Sequence, residues 1–269
     1  MVYSPWKHED EVESGNGKST LCGTLLLGAI EQGCSVCAVS LELPHAKFKE
    51  WIDLQAAGSE FITLKEDPIK GKRVPVVHQP AAERIHEWYD NKFFLYESVE
   101  DEQSTIADSI LRVFTTAAKR KGCSIFLVDN LMTALADSYD DEYRAQARFV
   151  AQLKRFAVRY SAHVLIVAHP RKVKQGEPLT KSDVGGSSYI TNLASNVIEI
   201  KKPDINVLKS RDSGSTCFIE CCYCPDSRRV YQASAGDLYQ FSWNKTGITP
   251  PTVRADELDE YRVRRSIMF

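Results

Sequence analysis

What the chain lacks narrows it first. No apolar run approaches the ~20 residues of a membrane-spanning helix, and the N-terminus has no leader-like apolar core. The expectation is no membrane association and a cytoplasmic location. It also lacks an excess of charge: 34 Lys and Arg face 36 Asp and Glu, a formal net charge of −2. A balance of this kind gives no global attraction to polyanions, so any nucleic-acid site must come from local Lys and Arg placement. No internal repeat is visible. Among eight cysteines, no second well-spaced Cys/His pair completes a tetrahedral zinc set. Cys34 and Cys37, offset by three in a strand, fall on opposite faces. Cys217, Cys221, Cys222 and Cys224 cluster. The last two could share a face, which leaves zinc open, but small buried hydrophobes in a reducing compartment is the favoured reading. Hydrophobic residues at 43% and charged residues at 26% are ordinary for a globular chain, with length for one large α/β domain or two small ones.

What is present is concentrated in Ser14, Gly15, Asn16, Gly17, Lys18, Ser19 and Thr20. This is a phosphate-binding loop running into an apolar helix, expected over residues 18–32. Glycines let backbone N–H groups converge on phosphate oxygens, and the helix offers its positive end to the same anion. Lys18 would reach the β- and γ-phosphates, and Ser19 would hold Mg²⁺. Two departures stand out: Val12 occupies the place of the motif's opening glycine, and charged residues 7–11 stand where a feeding strand belongs.

Downstream, helix and strand patterns alternate. Strands are expected at 34–41, 92–96, 124–128, 163–168 and 197–200, with helices at 46–57, 81–90, from Ser104 to Gly122, 143–160 and 187–195. Residues 59–80, broken by Pro68, Pro75 and Pro80, read as a loop region. Strands alone follow, at 205–209, 216–223 and 229–232. Alternation followed by strands implies an α/β fold, a mainly parallel sheet flanked by helices with antiparallel strands towards the C-terminus. Residues 1–248 read as one domain and 249–269 as a peripheral tail.

Three apolar strands end in polar residues. Phe126-Leu-Val-Asp129 has the form of a Walker B element, whose carboxylate holds Mg²⁺. Ser40-Leu-Glu42-Leu-Pro44 places a second acid where it can polarise an attacking water. His169 follows the third strand, where it could sense the γ-phosphate. Lys209 and Arg211 share one side of a late strand by period two and could reach a nucleotide on a neighbouring subunit, with Arg211 as an arginine finger.

These segments, in this order, resemble the motor domain of DnaB-type replicative helicases within the RecA-like ATPases, closest to the Twinkle and phage primase-helicase branch. The likeness covers roughly residues 11–232. Ser40-Leu-Glu-Leu-Pro44 resembles the catalytic-acid motif, His169-Pro-Arg-Lys172 the sensor motif, and Leu208-Lys-Ser-Arg211 the trans-acting finger. Residues 183–200 resemble the segment whose loop contacts DNA. The resemblance implies a hexameric ring, ATP or another NTP with Mg²⁺ hydrolysed at subunit interfaces, and translocation on single-stranded DNA in the compartment that holds it. A separately encoded primase is a candidate partner. The DNA contacts would be Lys172, Lys174, Lys181, Gly185, Gly186 and Ser187. The family's first core strand is expected to be missing or degraded within residues 1–13. Two alternatives are a RecA-like recombination or repair ATPase and a non-catalytic DNA-binding assembly module derived from a helicase.

Overall fold

Three strands, Ser35–Ser40 (β2), Cys123–Asp129 (β6) and His163–Ala168 (β7), carry apolar residues on both sides of the chain, as a sheet covered on both faces requires. Val36, Ala38, Leu127, Leu165 and Val167 face one core. Cys37, Val39, Phe126, Val128 and Ile166 face the other. The computed structural model describes residues 2–3, 17–67, 71–96, 104–138, 141–169, 188–201, 204–211, 217–219, 221–224, 227–232, 242–244 and 247–249.

The helices are Lys18–Glu31 (α1), His45–Ala57 (α2), Gln79–Tyr89 (α3), Ile106–Lys121 (α4), Glu142–Arg159 (α5) and Ser188–Leu193 (α6). Leu26, Ile30, Phe48, Ile52 and Ile85 of α1–α3 fill the first core; Ile110, Phe114, Phe149, Leu153 and Ile190 of α4–α6 fill the second. The remaining strands of the main sheet are Val2–Tyr3 (β1), Phe93–Tyr96 (β5), Asn196–Lys201 (β8), Asp204–Ser210 (β9) and Cys217–Ile219 (β10). Their order among the described residues is β10-β9-β8-β1-β7-β6-β2-β5. Pairing is parallel from β8 to β5 and antiparallel through β8, β9 and β10. The expected α/β architecture, with its antiparallel extension, is thus the observed one.

Two local expectations change, at 59–80 and at 216–223, while the first core strand is degraded and one further hairpin lies beyond the expected strands. The first core strand is present as two residues, with Val2 and Tyr3 paired to Val167 and Ala168 on one side and Ile198 and Glu199 on the other. Two residues carry no readable period. Residues 59–80 hold an antiparallel hairpin, Ile62–Glu66 (β3) with Arg73–Val77 (β4), in which Pro75 stands opposite Leu64; a two-stranded ribbon has outward edges that accept a residue without an N–H. The expected strand 216–223 divides: β10 joins the main sheet, and Cys221–Cys224 (β11) pairs with Arg229–Gln232 (β12). A further hairpin, Ser242–Asn244 (β13) with Gly247–Thr249 (β14), ends at the first residue of the expected tail; the rest of that tail lies outside the described residues.

The β11–β12 hairpin is fastened to the first two helices. Gln55 Nε2 donates to Thr20 O at 2.9 Å and to Arg228 O at 2.8 Å. A Cβ on Gly23 would meet Gln55 Oε1 at 2.1 Å, so a glycine there lets the amide lie against α1. Arg229, 3% exposed, donates through Nε to Gln55 O and through Nη2 to Ala56 O, capping the end of α2. The Arg228 guanidinium stacks 3.5 Å from the Trp51 ring centre.

Candidate active site

The polar residues that end β2, β6 and β7 lie together because these strands are parallel neighbours. Short main-chain links fix their spacing: Leu41 N donates to Asp129 O at 2.6 Å, and Leu131 N to Val167 O at 2.9 Å. Against this edge stands the start of α1. Gly17 has φ 78°, left-handed backbone that suits glycine, and its carbonyl accepts from Leu21 N at 2.8 Å to open the helix. Among the described residues no side chain caps the N-terminus of α1, and no acid occupies its first turn. Its leading N–H groups and Lys18 together offer positive charge to an anion.

Ser19 Oγ donates to Asp129 Oδ2 at 2.7 Å, joining residues 110 positions apart. Asp129 is fully buried, and its Oδ1 has no hydrogen-bond partner among the described residues. Burial pushes its carboxyl up to about 6, opposed by the Ser19 hydrogen bond. A buried carboxylate oxygen with no donor is the arrangement a cation completes. Lys18, 8% exposed, has no hydrogen bond or ion pair from its ammonium among the described residues. Burial lowers its pKa, while Glu42 and Asp129 hold it up.

Glu42 stands at the rim, its side chain 36% exposed. Asn130 Nδ2 donates to Glu42 Oε1, and His169 Nε2 lies 3.0 Å from the same oxygen. The His169 hydrogen bond comes first among the causes that hold the Glu42 carboxyl below its usual range, against partial burial. Asn130 is oriented by Thr133, whose N–H donates to Oδ1 at 3.0 Å; Nδ2 must therefore face Glu42. His169 Nε2 also lies 3.1 Å from Asn130 Nδ2, and it bonds Glu42, a carboxylate that can only accept, in the tautomer with the proton on Nε2.

A model of the AAA domain family matches residues 13–175. The chain belongs to the AAA domain family. No curated protein matches it in sequence. Three solved structures are similar in fold to this AAA-domain chain. One, described as an ATPase domain, has 12% identity and a TM-score of 0.64, covering 87% of this chain and 84% of its own. "The Structure Of A DnaB-Like Replicative Helicase And Its Interactions With Primase" has 13% identity and a TM-score of 0.65, covering 85% of this chain and 57% of its own. A KaiC-like protein from Pyrococcus horikoshii OT3 has 12% identity and a TM-score of 0.55, covering 86% and 87%. These likenesses place the chain in the RecA-like ATPase fold.

Of the residues named from the sequence of this AAA-domain chain, Lys18, Ser19, Glu42, Asp129 and His169 come together. Thr20 turns its carbonyl to Gln55. Ser14, Gly15 and Asn16 lie outside the described residues, as do Lys172, Lys174, Lys181, Gly185, Gly186 and Ser187. Lys209 turns to its own chain: its ammonium donates to Thr191 O at 2.6 Å and Ala194 O at 2.8 Å. It caps α6 of its own chain, because period two gives a side of the strand but not the helix end lying there. Arg211, exposed, reaches the same helix end and donates through Nη2 to Asn192 O. Asn130 was missed. Its one sequence signal is its place directly after the strand-ending acid. Among the described residues, no helix is long and apolar enough to cross a membrane.

Proposed function

We propose that this chain binds a nucleoside triphosphate, ATP or another NTP, and hydrolyses it at the C-terminal edge of the sheet. The reading takes residues 1–248 as the ATPase unit of a DnaB-type helicase motor in the Twinkle and phage primase-helicase branch. One observation carries the hydrolysis: Ser19 and the partnerless Oδ1 of buried Asp129 face the start of α1, beside a Glu42 fixed by two hydrogen bonds. Ser19 and Asp129 would hold Mg²⁺, which when bound supplies charge neutralisation for the β- and γ-phosphates. Lys18 adds a second positive charge in a site where burial weakens screening. Glu42, held ionised at neutral pH, orients the attacking water and accepts its proton. Asn130 and His169 position Glu42, and His169 passes the state of that carboxylate to the segment after β7.

Translocation on single-stranded DNA, a hexameric ring with shared sites, and a primase partner extend the same reading; the family match and the shared fold support it. Arg211 is its trans-acting residue, released from Asn192 when a neighbour's nucleotide arrives. The test is ATP hydrolysis by the purified chain with and without single-stranded DNA, followed by unwinding of a forked duplex. DNA-stimulated hydrolysis with unwinding is the expected result. Strand exchange without unwinding would favour a recombination ATPase; DNA binding without hydrolysis would favour an assembly module. Arg211→Ala mixed with Lys18→Ala should regain part of the lost turnover, since each supplies what the other lacks at a mixed interface. No rescue, with specific activity independent of concentration, would refute the shared site.

A further inference from the structure

The two faces of the sheet differ sharply in charge. Helices α4 and α5 carry nine Lys and Arg and only two acids, Asp108 and Glu142, in a chain whose net charge is −2. Favourable dipole placement accounts for some of them: Lys119, Arg120, Lys121 and Arg159 stand in last turns. It does not account for Arg144 in the first turn of α5, at the end where the dipole disfavours a cation. Arg144, Arg148, Arg155 and Arg159 follow spacings of four, seven and four, which aligns them along one stripe about 22 Å long. All four are exposed.

Between the two helices runs an open groove of about 460 Å³. Lys119 lines one side, Arg155 and Arg159 the other, and Leu111, Thr115 and Phe156 lie between them. The lining contains no carboxylate. None of Lys119, Arg155 and Arg159 forms an ion pair among the described residues. Tyr160 closes one end, its ring 5.0 Å from Phe156 and 5.6 Å from the Arg159 guanidinium. The groove is remote from the candidate active site. Helix α4 ends just before β6 begins and α5 just before β7 begins, so the groove lies at the strands' starts. Asp129 and His169 lie at the opposite ends, roughly 20 Å away along a seven-residue strand. Lys119, Arg155 and Arg159, which line the groove, therefore cannot serve the chain's own nucleotide.

We propose that the α4–α5 groove is a binding surface for single-stranded nucleic acid, separate from the loops at 170–187. Arginine dominates the stripe, and its planar fork matches phosphate oxygens. Tyr160 offers a ring face for a base beside those cations. An acidic protein segment would use the charge but not the aromatic end. The proposal goes beyond hydrolysis and does not depend on it.

The test is the affinity of the full chain for a short oligothymidylate over a salt series, without nucleotide. Replacing Lys119, Arg155 and Arg159 together by glutamine should weaken binding by about tenfold or more. It should also flatten the log–log salt slope by about two, at ~0.7 per phosphate contact. Tyr160→Leu, which keeps the apolar contact with Phe156, should weaken binding severalfold with the slope unchanged. ATP hydrolysis without DNA should stay at the wild-type rate in both, so failure here is distinct from failure of the hydrolysis reading. Unchanged affinity and slope in the triple variant would overturn the proposal. So would complete loss of binding on replacing Lys172, Lys174 and Lys181 by alanine. Polyglutamate that binds as tightly as the oligonucleotide, and is lost equally in the triple variant, would reassign the groove to an acidic protein.

Discussion

Polar residues at the centre of the sheet's edge and basic residues at its margin behave in opposite ways. At the centre, Glu42, Asn130 and His169 reach one another across β2, β6 and β7 and Ser19 reaches Asp129, which leaves Asp129 Oδ1 and the Lys18 ammonium without protein partners among the described residues. At the margin, Lys209 turns back onto the carbonyls that end α6. Capping saturates a side chain within its own chain; the central groups carry unsatisfied charge towards whatever arrives. The difference separates a site from a scaffold more clearly than residue type does, since both regions are rich in charge.

The sharpest way to break the comparison is Lys18→Ala. If the central cation exists for phosphate, ATP turnover should fall to background; turnover at the wild-type rate would remove the nucleotide from this edge. Glu42→Gln comes next. Nucleotide affinity should persist while kcat falls by about 10²–10⁴, the usual yield of a positioned general base. Normal turnover would make Glu42 a residue that merely precedes α2.

Asp129→Asn probes the cost of the unpartnered oxygen. Burial holds the Asp129 carboxyl at about 6 in the folded chain, above its unfolded value of about 3.9. The folded state thus binds the extra proton between those values, and stability is lost as pH rises through the window, by up to about 3 kcal/mol. The variant escapes that loss, less whatever its unpaired amide costs. Metal-free Asp129→Asn should therefore melt a few degrees above wild type at pH 7.5, with the advantage gone near pH 4. A lower melting temperature at pH 7.5 would show that Asp129 is stabilised by contacts the unpartnered oxygen does not reveal.

The smallest effect belongs to the margin. Lys209→Met should cost about 1–2 kcal/mol by uncovering the end of α6, seen as a melting shift of several degrees, with ATP turnover per folded molecule unchanged. A large fall in turnover at unchanged stability would put Lys209 among the nucleotide contacts and erase the contrast.

Much of the centre was legible because its signals are local. An apolar run ending in an acid announces both a buried strand and a polar group at its C-terminal edge, so β7 and the places of Glu42, Asp129 and His169 followed from pattern alone. Asn130 escaped because its role depends on Glu42 and Thr133, residues that meet it only through sheet order and a turn. The β3–β4 hairpin was hidden by its prolines, which break a central strand but not an exposed ribbon. The contact of Lys209 with the α6 carbonyls was not legible, since alternation gives direction and not the neighbour that occupies it.

The Gln55 amide has a consequence for the order in which the molecule is completed. Thr20 belongs to the first turn of α1, and Arg228 lies 173 residues beyond Gln55. During synthesis, α1 and α2 can pack together while β11 and β12 are still unmade, yet the buried amide then lacks one acceptor and the end of α2 lacks its Arg229 cap. The phosphate-loop helix thus reaches its final rigidity only after nearly all of the sheet has been translated. Amide protons in its first turn should exchange in step with those of the distant hairpin and not with those of the next helical turn.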